Sequence, residues 1–199
     1  IGGGSADAAA ALRVLNHLWG LRASEADLES VAATLGSDVA VCVTSAPAFM
    51  RGVGADLTPV EVPAVHAVLV NPGVASPTGP VYRALDAAAR FGDLAPPGAP
   101  SGEDAALRAW LSGLRNDLES PAVTLTPAIG LALSALRGAA PGGLVRMSGS
   151  GATCFALLDA PAAEDLAGRL RHRHPDWWIC ATPLGKGACP VIEDASGPA

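Results

Sequence analysis

Three short segments carry residue types that could do chemistry. The first is Gly2-Gly3-Gly4-Ser5, which leads directly into a helical pattern. Backbone N–H groups at a helix start point outward, and the helix dipole favours negative charge there. Glycines let a phosphate approach the backbone closely. The arrangement suits a nucleotide polyphosphate, but it is not a Walker A loop, because no Lys-Ser/Thr pair follows. The same glycines also suit a flexible leader before a capped helix, and on their own they leave the two readings open. The second segment is Ser148-Gly149-Ser150-Gly151, which taken alone reads as a tight connection between two strands. It is not a dinucleotide fingerprint, since Cys154 stands where a third glycine belongs and a strand follows. The third is Asp38, within Leu35-Gly36-Ser37-Asp38-Val39. A lone Asp beside a glycine is ordinarily a turn or cap residue. Held at the rim of an apolar core, it could also take a proton from an alcohol. His172 and His174 alternate with Arg171 and Arg173 and read as a solvated basic helix end rather than a metal site. Asn116-Asp117-Leu118-Glu119 is polar and suits a helix cap; no chemistry is assigned to it.

The elements that must position these segments follow from periodicity. Ala8, Leu12, Leu15 and Trp19 recur at helical spacing, so a helix is predicted over 5–19, with Gly20 as its stop. Ser24 then caps a second helix with Leu28, Val31 and Leu35 on its buried face and Gly36 at its end. Residues 39–43 suit either a strand or a buried helix, and Gly52-Val53-Gly54 is a turn. From there the pattern predicts a strand over 65–70, helices over 79–90, 104–112 and 127–137, and strands over 144–147 and 154–158. A helix over 161–173 and a strand over 177–181 complete it, with a loop over 94–102 and a frayed tail from 186. From Val65 onward this is a split βαβ order, as in ferredoxin-like domains, within an α+β fold class.

Composition narrows the function classes. The 199 residues are 50% apolar and 16% charged, a folding composition with room for one large domain or a domain and a half. The net charge of -6 argues against nucleic acid as the main partner. No apolar run reaches the roughly 18 residues of a membrane span, and residues 2–11 are too polar for a signal peptide. A soluble, cytoplasmic enzyme acting on a small molecule is expected, with no membrane partner. The four cysteines form no C-x-x-C pair and read as reduced thiols, three of them in apolar runs. The chain opens on Ile1, directly before the glycines and without an initiator Met. A folded domain rarely begins inside a glycine-rich loop, so an upstream segment is expected.

Taken together, the segments resemble the GHMP kinase family over nearly the whole chain, from Ile1 to about Leu184. Gly2-Gly3-Gly4-Ser5-Ala6-Asp7-Ala8-Ala9 looks like the end of that family's phosphate-binding motif, and Leu35-Gly36-Ser37-Asp38-Val39 like its L-G-[AS]-D-V element. Met147 to Phe155 matches its third motif, [LM]-[ST]-G-[ST]-G-[AS]-x-x-F. Asn16-His17-Leu18-Trp19, Arg51-Gly52-Val53-Gly54, Asn71-Pro72-Gly73, Pro77-Thr78 with Tyr82-Arg83, and Asn116-Asp117-Leu118-Glu119 are similar to the members acting on 4-diphosphocytidyl-2-C-methyl-D-erythritol. Homoserine and mevalonate-type kinases share the glycine motifs, but are not expected to share the Asn16–Trp19 or Asn71–Arg83 segments in this form.

The resemblance implies a two-domain fold: the end of the N-terminal, ATP-binding domain over 1–60, a ferredoxin-like C-terminal domain over 61–185, and a tail over 186–199. It implies transfer of the γ-phosphoryl group of ATP, with Mg²⁺, to the 2-hydroxyl of that alcohol. The alternatives are another alcohol substrate, or a fold kept without turnover. Asp38 matches the proposed general base. Ile1, Gly2, Gly3, Gly4, Ser5 and Ala6 match the ATP-phosphate loop, with Ser5 as a possible metal contact. Thr78, Tyr82, Gly149, Ser150 and Gly151 match substrate-binding positions. The family's catalytic lysine, the start of its phosphate loop and much of its cytidine pocket are expected upstream of Ile1, so these 199 residues alone are expected to be inactive. Ala40 departs from the family pattern, which commonly has proline there.

Overall fold

The computed structural model describes residues 2–52, 54, 56–88 and 103–185. These form two compact units, Gly2–Val62 and Pro63–Leu184. The loop expected over 94–102 and the tail from 186 lie outside the described residues, as do Ile1 and the last two residues of the helix expected over 79–90.

The first unit is built from α1 (Gly3–Leu18), α2 (Glu25–Leu35), α3 (Val39–Thr44) and a hairpin of β1 (Ala48–Arg51) with β2 (Asp56–Pro59). Helix α1 starts two residues earlier than periodicity suggests. The alanine-rich stretch after Ser5 is strongly helix-forming, and it carries the helix back through Gly4 and Gly3 despite glycine's cost of about 1 kcal/mol. After α1, Gly20 sits at φ +61 and lets Leu21 N–H reach back to the Asn16 carbonyl at 3.1 Å. The Asn16 side chain then closes the connection by donating to, and accepting from, the backbone of Ala23 at 3.0 Å each way. Helix α2 opens on a capping box between Ser24 and Asp27. The Ser24 hydroxyl holds the Asp27 carboxyl below its usual range.

The core of this unit is small: Ala9, Ala32, Val39, Ala40 and Val43, with Ala8, Leu12, Leu28, Cys42 and Leu57 packed around it. The ambiguous stretch 39–43 is therefore a buried helix. Alanines from α1, α2 and α3 are fully or nearly fully buried in this core, beside Val39 and Val43. Ala8, Leu12 and Leu28 lie against the core as expected, but Trp19 is 63% exposed, Leu35 59% and Val31 49%, which corrects the buried faces expected for the two helices at those three positions.

The second unit comprises β3 (Val65–Asn71), α4 (Thr78–Ala88), α5 (Asp104–Ser112), α6 (Glu119–Leu125), α7 (Pro127–Ala139), β4 (Leu144–Met147), β5 (Cys154–Leu158), α8 (Ala160–Arg173) and β6 (Trp178–Leu184). Its strands form one antiparallel sheet in the order β4-β5-β3-β6, the ferredoxin-like arrangement. Strand β3 is central and buried along most of its length, as its near-continuous apolar sequence requires. Ile129, Leu133 and Leu136 of α7 and Leu166 and Leu170 of α8 pack in one core with Val68, Val70, Met147 and Cys154 from the sheet. Helix α8 begins on Asp159, whose carboxylate accepts the Ala162 N–H at 2.9 Å.

Candidate active site

In the first unit the chemistry-bearing groups sit at two helix starts. Gly2 occupies the N-cap of α1 at φ +58, and no side chain caps the helix. Gly2, Gly3 and Gly4 are exposed, and a Cβ at any of them would meet no other atom within 4 Å. Gly3, Gly4 and Ser5 form the first turn, where a helix supplies no acceptors for N–H groups. The expected loop over Gly2–Ser5 is thus the N-cap and first turn of the helix itself, with Ser5 half-buried. Ala6 differs from its neighbours: its N–H is taken by the Gly2 carbonyl at 2.9 Å, so it has no amide to offer a ligand. The unmasked first turn fits the phosphates of a nucleotide. Among the described residues no group of three or more His, Cys, Asp or Glu could hold a metal. The residues therefore fit Mg²⁺ only as an ion held chiefly by phosphates and water, with the Ser5 hydroxyl as one candidate contact.

Asp38 is the N-cap of α3, exposed and without a capping hydrogen bond from its side chain. Its backbone is nevertheless well fixed. Val39 and Ala40, just after it, are buried. The Arg13 guanidinium of α1 donates to the carbonyls of Cys42 and Val43 at 2.8 Å each, satisfying the far end of α3. On the near side, Gly54 in the hairpin turn sits at φ +90 against Ser37. A Cβ there would overlap the Ser37 carbonyl oxygen and lie 2.9 Å from its carbonyl carbon. The carboxylate is thus a solvent-facing group on a backbone held by packing on both sides. The Cys42 thiol is pushed up by partial burial and by the Asp38 charge.

In the second unit the turn after β4 gathers residues from across the sequence. Gly149 at φ +52 and Gly151 at φ +91 use conformations that suit glycine. Gly151 is also closely packed: a Cβ would come within 2.9 Å of Ile129 Cδ1 and 3.1 Å of Met147 Sδ, side-chain atoms that would have to shift. The turn closes through Gly151 N–H to the Ser148 carbonyl at 3.0 Å and Ser148 N–H to the Thr153 carbonyl at 2.9 Å. The Ser76 hydroxyl donates to the Ser150 carbonyl at 2.6 Å, and the Thr78 and Ser150 hydroxyls lie 2.9 Å apart. Asn71 donates to the buried Thr153 hydroxyl at 3.0 Å and accepts the Gly73 N–H at 2.9 Å. From the other side the Asn116 amide donates to the carbonyls of Met147 and Gly149 at 3.0 and 2.8 Å. The carbonyls of residues 148–150 are all engaged within the protein, while no described residue accepts from the N–H groups of Gly149 or Ser150. Such a turn presents donors, the polarity an anionic ligand needs.

Of the substrate positions expected from sequence, Thr78, Gly149, Ser150 and Gly151 come together here. Tyr82 lies one turn beyond Thr78 on α4 and is 51% exposed. Sequence reasoning missed Ser76, Asn116 and Thr153 as partners of the turn. A cavity of about 660 Å³ on the α6–α7–β4 side is lined by Arg115, Asn116, Glu119, Arg137 and Arg146, among others. Its guanidinium groups are engaged by Asp117, Glu119 and the carbonyls of Leu111 and Ser112, so it is an ion-paired groove.

The chain matches two family models in order: the GHMP kinase N-terminal domain over residues 1–47 and the GHMP kinase C-terminal region over residues 84–176. It is 52% identical over 192 residues to a protein of Caulobacter sp. (strain K31) named 4-diphosphocytidyl-2-C-methyl-D-erythritol kinase, covering 93% of this chain and 65% of that protein. A protein of the same name from Hyphomonas neptunium is 51% identical over 193 residues, with 93% and 63% covered. The chain therefore spans about 65% of the length of such relatives. Among solved structures, a crystal structure of 4-(cytidine 5'-diphospho)-2C-methyl-D-erythritol kinase superposes with a TM-score of 0.70 at 36% identity, covering 94% of this chain and 66% of that one. L. major mevalonate kinase in complex with R-mevalonate gives 0.60 at 15% identity, covering 94% and 67%, a likeness of fold alone.

Proposed function

Since the chain belongs to the GHMP kinase family, we propose that it serves the transfer of the γ-phosphoryl group of ATP to the 2-hydroxyl of 4-diphosphocytidyl-2-C-methyl-D-erythritol. This is a step in isoprenoid precursor synthesis, placed here in the cytoplasm. The observation that carries this reading is the 52% identity to the Caulobacter relative of that name, which runs through both units.

The residues divide the work between them. The N–H groups of Gly3, Gly4 and Ser5 receive the nucleotide's phosphates, and the α1 dipole adds its favourable field. Asp38 takes the proton of the attacking hydroxyl, a role for which its packed backbone matters more than its exposure. The turn at Gly149–Gly151, with Thr78 and Tyr82, holds the alcohol substrate. Mg²⁺, when bound, would supply charge neutralisation at the transferring phosphoryl group, with the Ser5 hydroxyl as one contact.

The test is ADP formation by the full-length protein with ATP and a panel of alcohols that includes homoserine and mevalonate. Turnover confined to the diphosphocytidyl alcohol is expected. Preferred turnover of another alcohol would move the chain to a different kinase of the family, and none with any alcohol would mark a fold kept without catalysis.

A further inference from the structure

The segment from Asn116 to Glu119 is polar, and the proposed chemistry uses none of it. Its contacts nonetheless converge on one place. Strand β4 is an edge strand of the sheet, so every second residue has backbone groups facing away from β5. At Met147 both are occupied by this segment: Glu119 Oε2 accepts the N–H at 3.1 Å, and Asn116 Nδ2 donates to the carbonyl at 3.0 Å. Side chains here take the place of a missing strand. Asn116 reaches two residues further, to the Gly149 carbonyl at 2.8 Å, while its own Oδ1 is anchored by the Leu118 N–H at 3.0 Å. Glu119 is anchored in turn by Arg137, whose Nη2 donates to Oε1 at 2.8 Å.

We propose that Asn116, supported by Glu119, is a positioning residue for phosphoryl transfer. By drawing the carbonyls of Met147 and Gly149 inward, it fixes the peptide orientations of the turn. The N–H groups of Gly149 and Ser150 are thereby kept for an anionic group of the alcohol substrate. This inference rests on the reading that the turn binds substrate. Gly149 depends on the clamp because it sits at φ +52 with no atom within 4 Å of its Cβ position. Neither packing nor a side chain of its own holds that peptide, and glycine has the widest choice of alternatives. Ser76 and Thr78 restrain Ser150 from the other side, but nothing except Asn116 takes the Gly149 carbonyl among the described residues.

The test uses the full-length protein with Asn116→Asp, which keeps the size and the acceptor for Leu118 but cannot donate to the two carbonyls. Asn116→Ala, Glu119→Ala and Glu119→Gln accompany it, with urea midpoints checked. Hydrogen exchange of the Ser148 and Gly151 amides, whose bonds close the turn, should quicken at least about tenfold in both Asn116 variants, the scale of losing one net hydrogen bond. The KM for the alcohol should rise about tenfold, with the KM for ATP within threefold of the parent. Glu119→Gln can still accept the Met147 N–H and should restore most of what Glu119→Ala loses. Unchanged exchange in Asn116→Asp overturns the inference whatever the kinetics show. Faster exchange with an unchanged alcohol KM overturns it too, by separating the turn from substrate binding, while parental turnover leaves the kinase reading standing. A parent protein without turnover defeats the kinase reading itself, and the exchange data then still decide whether Asn116 holds the turn.

Discussion

Substituting Gly54 by alanine tests whether the hairpin of the first unit fixes the base on which Asp38 stands. Two costs are legible in the structure. Gly54 sits at φ +90, where an L-residue costs about 1–2 kcal/mol. The new Cβ would also overlap the Ser37 carbonyl oxygen and lie 3.0 Å from Ser37 Cα. Those are backbone atoms that no rotamer change can move, so one chain must yield, at about 1–3 kcal/mol by analogy with overpacked cores. The sum is about 2–5 kcal/mol, a large part of a typical stability of about 5–15 kcal/mol. Gly52 provides the control. It lies in the same turn at φ +60, but a Cβ there meets nothing within 4 Å, so Gly52→Ala isolates the backbone term of about 1–2 kcal/mol. Urea denaturation of the two full-length variants should therefore differ by about 1–3 kcal/mol. Where Gly54→Ala remains folded, its turnover should fall more than that of Gly52→Ala, because Ser37 is bonded directly to Asp38 and a shift of about 1 Å in a catalytic group can cost about 10²-fold. Equal stability and equal turnover in the two variants would refute the argument that this contact positions the carboxylate.

Three further expectations concern single groups. Asp38→Asn in the full-length protein should lower turnover by about 10²-fold or more while altering ATP affinity much less; near-normal turnover with the fold intact removes Asp38 from the mechanism. Gly4→Ala should raise stability by up to about 1 kcal/mol through helix propensity yet raise the KM for ATP, because the methyl group takes up open space beside the first turn that a phosphate would occupy; an unchanged KM would take the nucleotide away from this turn. The Cys154 thiol is pushed up to about 12 by burial and, secondarily, by the Glu119 charge. Since the folded value lies above the ordinary 9.0, the stability it contributes is complete below pH 9 and is lost as pH rises toward 12. Iodoacetamide should accordingly leave Cys154 unmodified at pH 8 in the native protein and label it once urea unfolds the chain, as peptide mapping would show; native labelling would contradict its burial.

How much of this was legible in the sequence depended on the range of the interactions. Apart from α6, the second unit's order of strands and helices followed from pattern alone, because Val65–Asn71, Leu144–Met147 and Cys154–Leu158 are mostly apolar runs bounded by turn residues. The hairpin Ala48–Arg51 with Asp56–Pro59 gave no such signal, since its residues are half-buried or exposed without clear alternation. Helix α6 was too short for its period to register. Burial of Trp19, Val31 and Leu35 was expected from helical spacing, but alanines at the contacts placed the core elsewhere. At the site, glycine runs and a lone aspartate could be recognised by type. Their partners could not: Ser76 meets Ser150 across 74 positions, Asn116 meets Gly149 across 33, and Gly54 meets Ser37 through the absence of a side chain. A residue that acts by holding another's backbone leaves no local trace of doing so.

Transfer of phosphate to the 2-hydroxyl is tested most directly by the product's proton-coupled phosphorus NMR spectrum. Carbon 2 of 2-C-methyl-D-erythritol bears the methyl group and no hydrogen, so a phosphate on its oxygen has no proton three bonds away. Incubating the full-length protein with ATP, Mg²⁺ and 4-diphosphocytidyl-2-C-methyl-D-erythritol should yield ADP and a new monoester resonance that shows no three-bond proton splitting. A monoester split as a doublet or triplet would place the phosphate on a secondary or primary hydroxyl, and together with the absence of any monoester it is the result that would contradict the account.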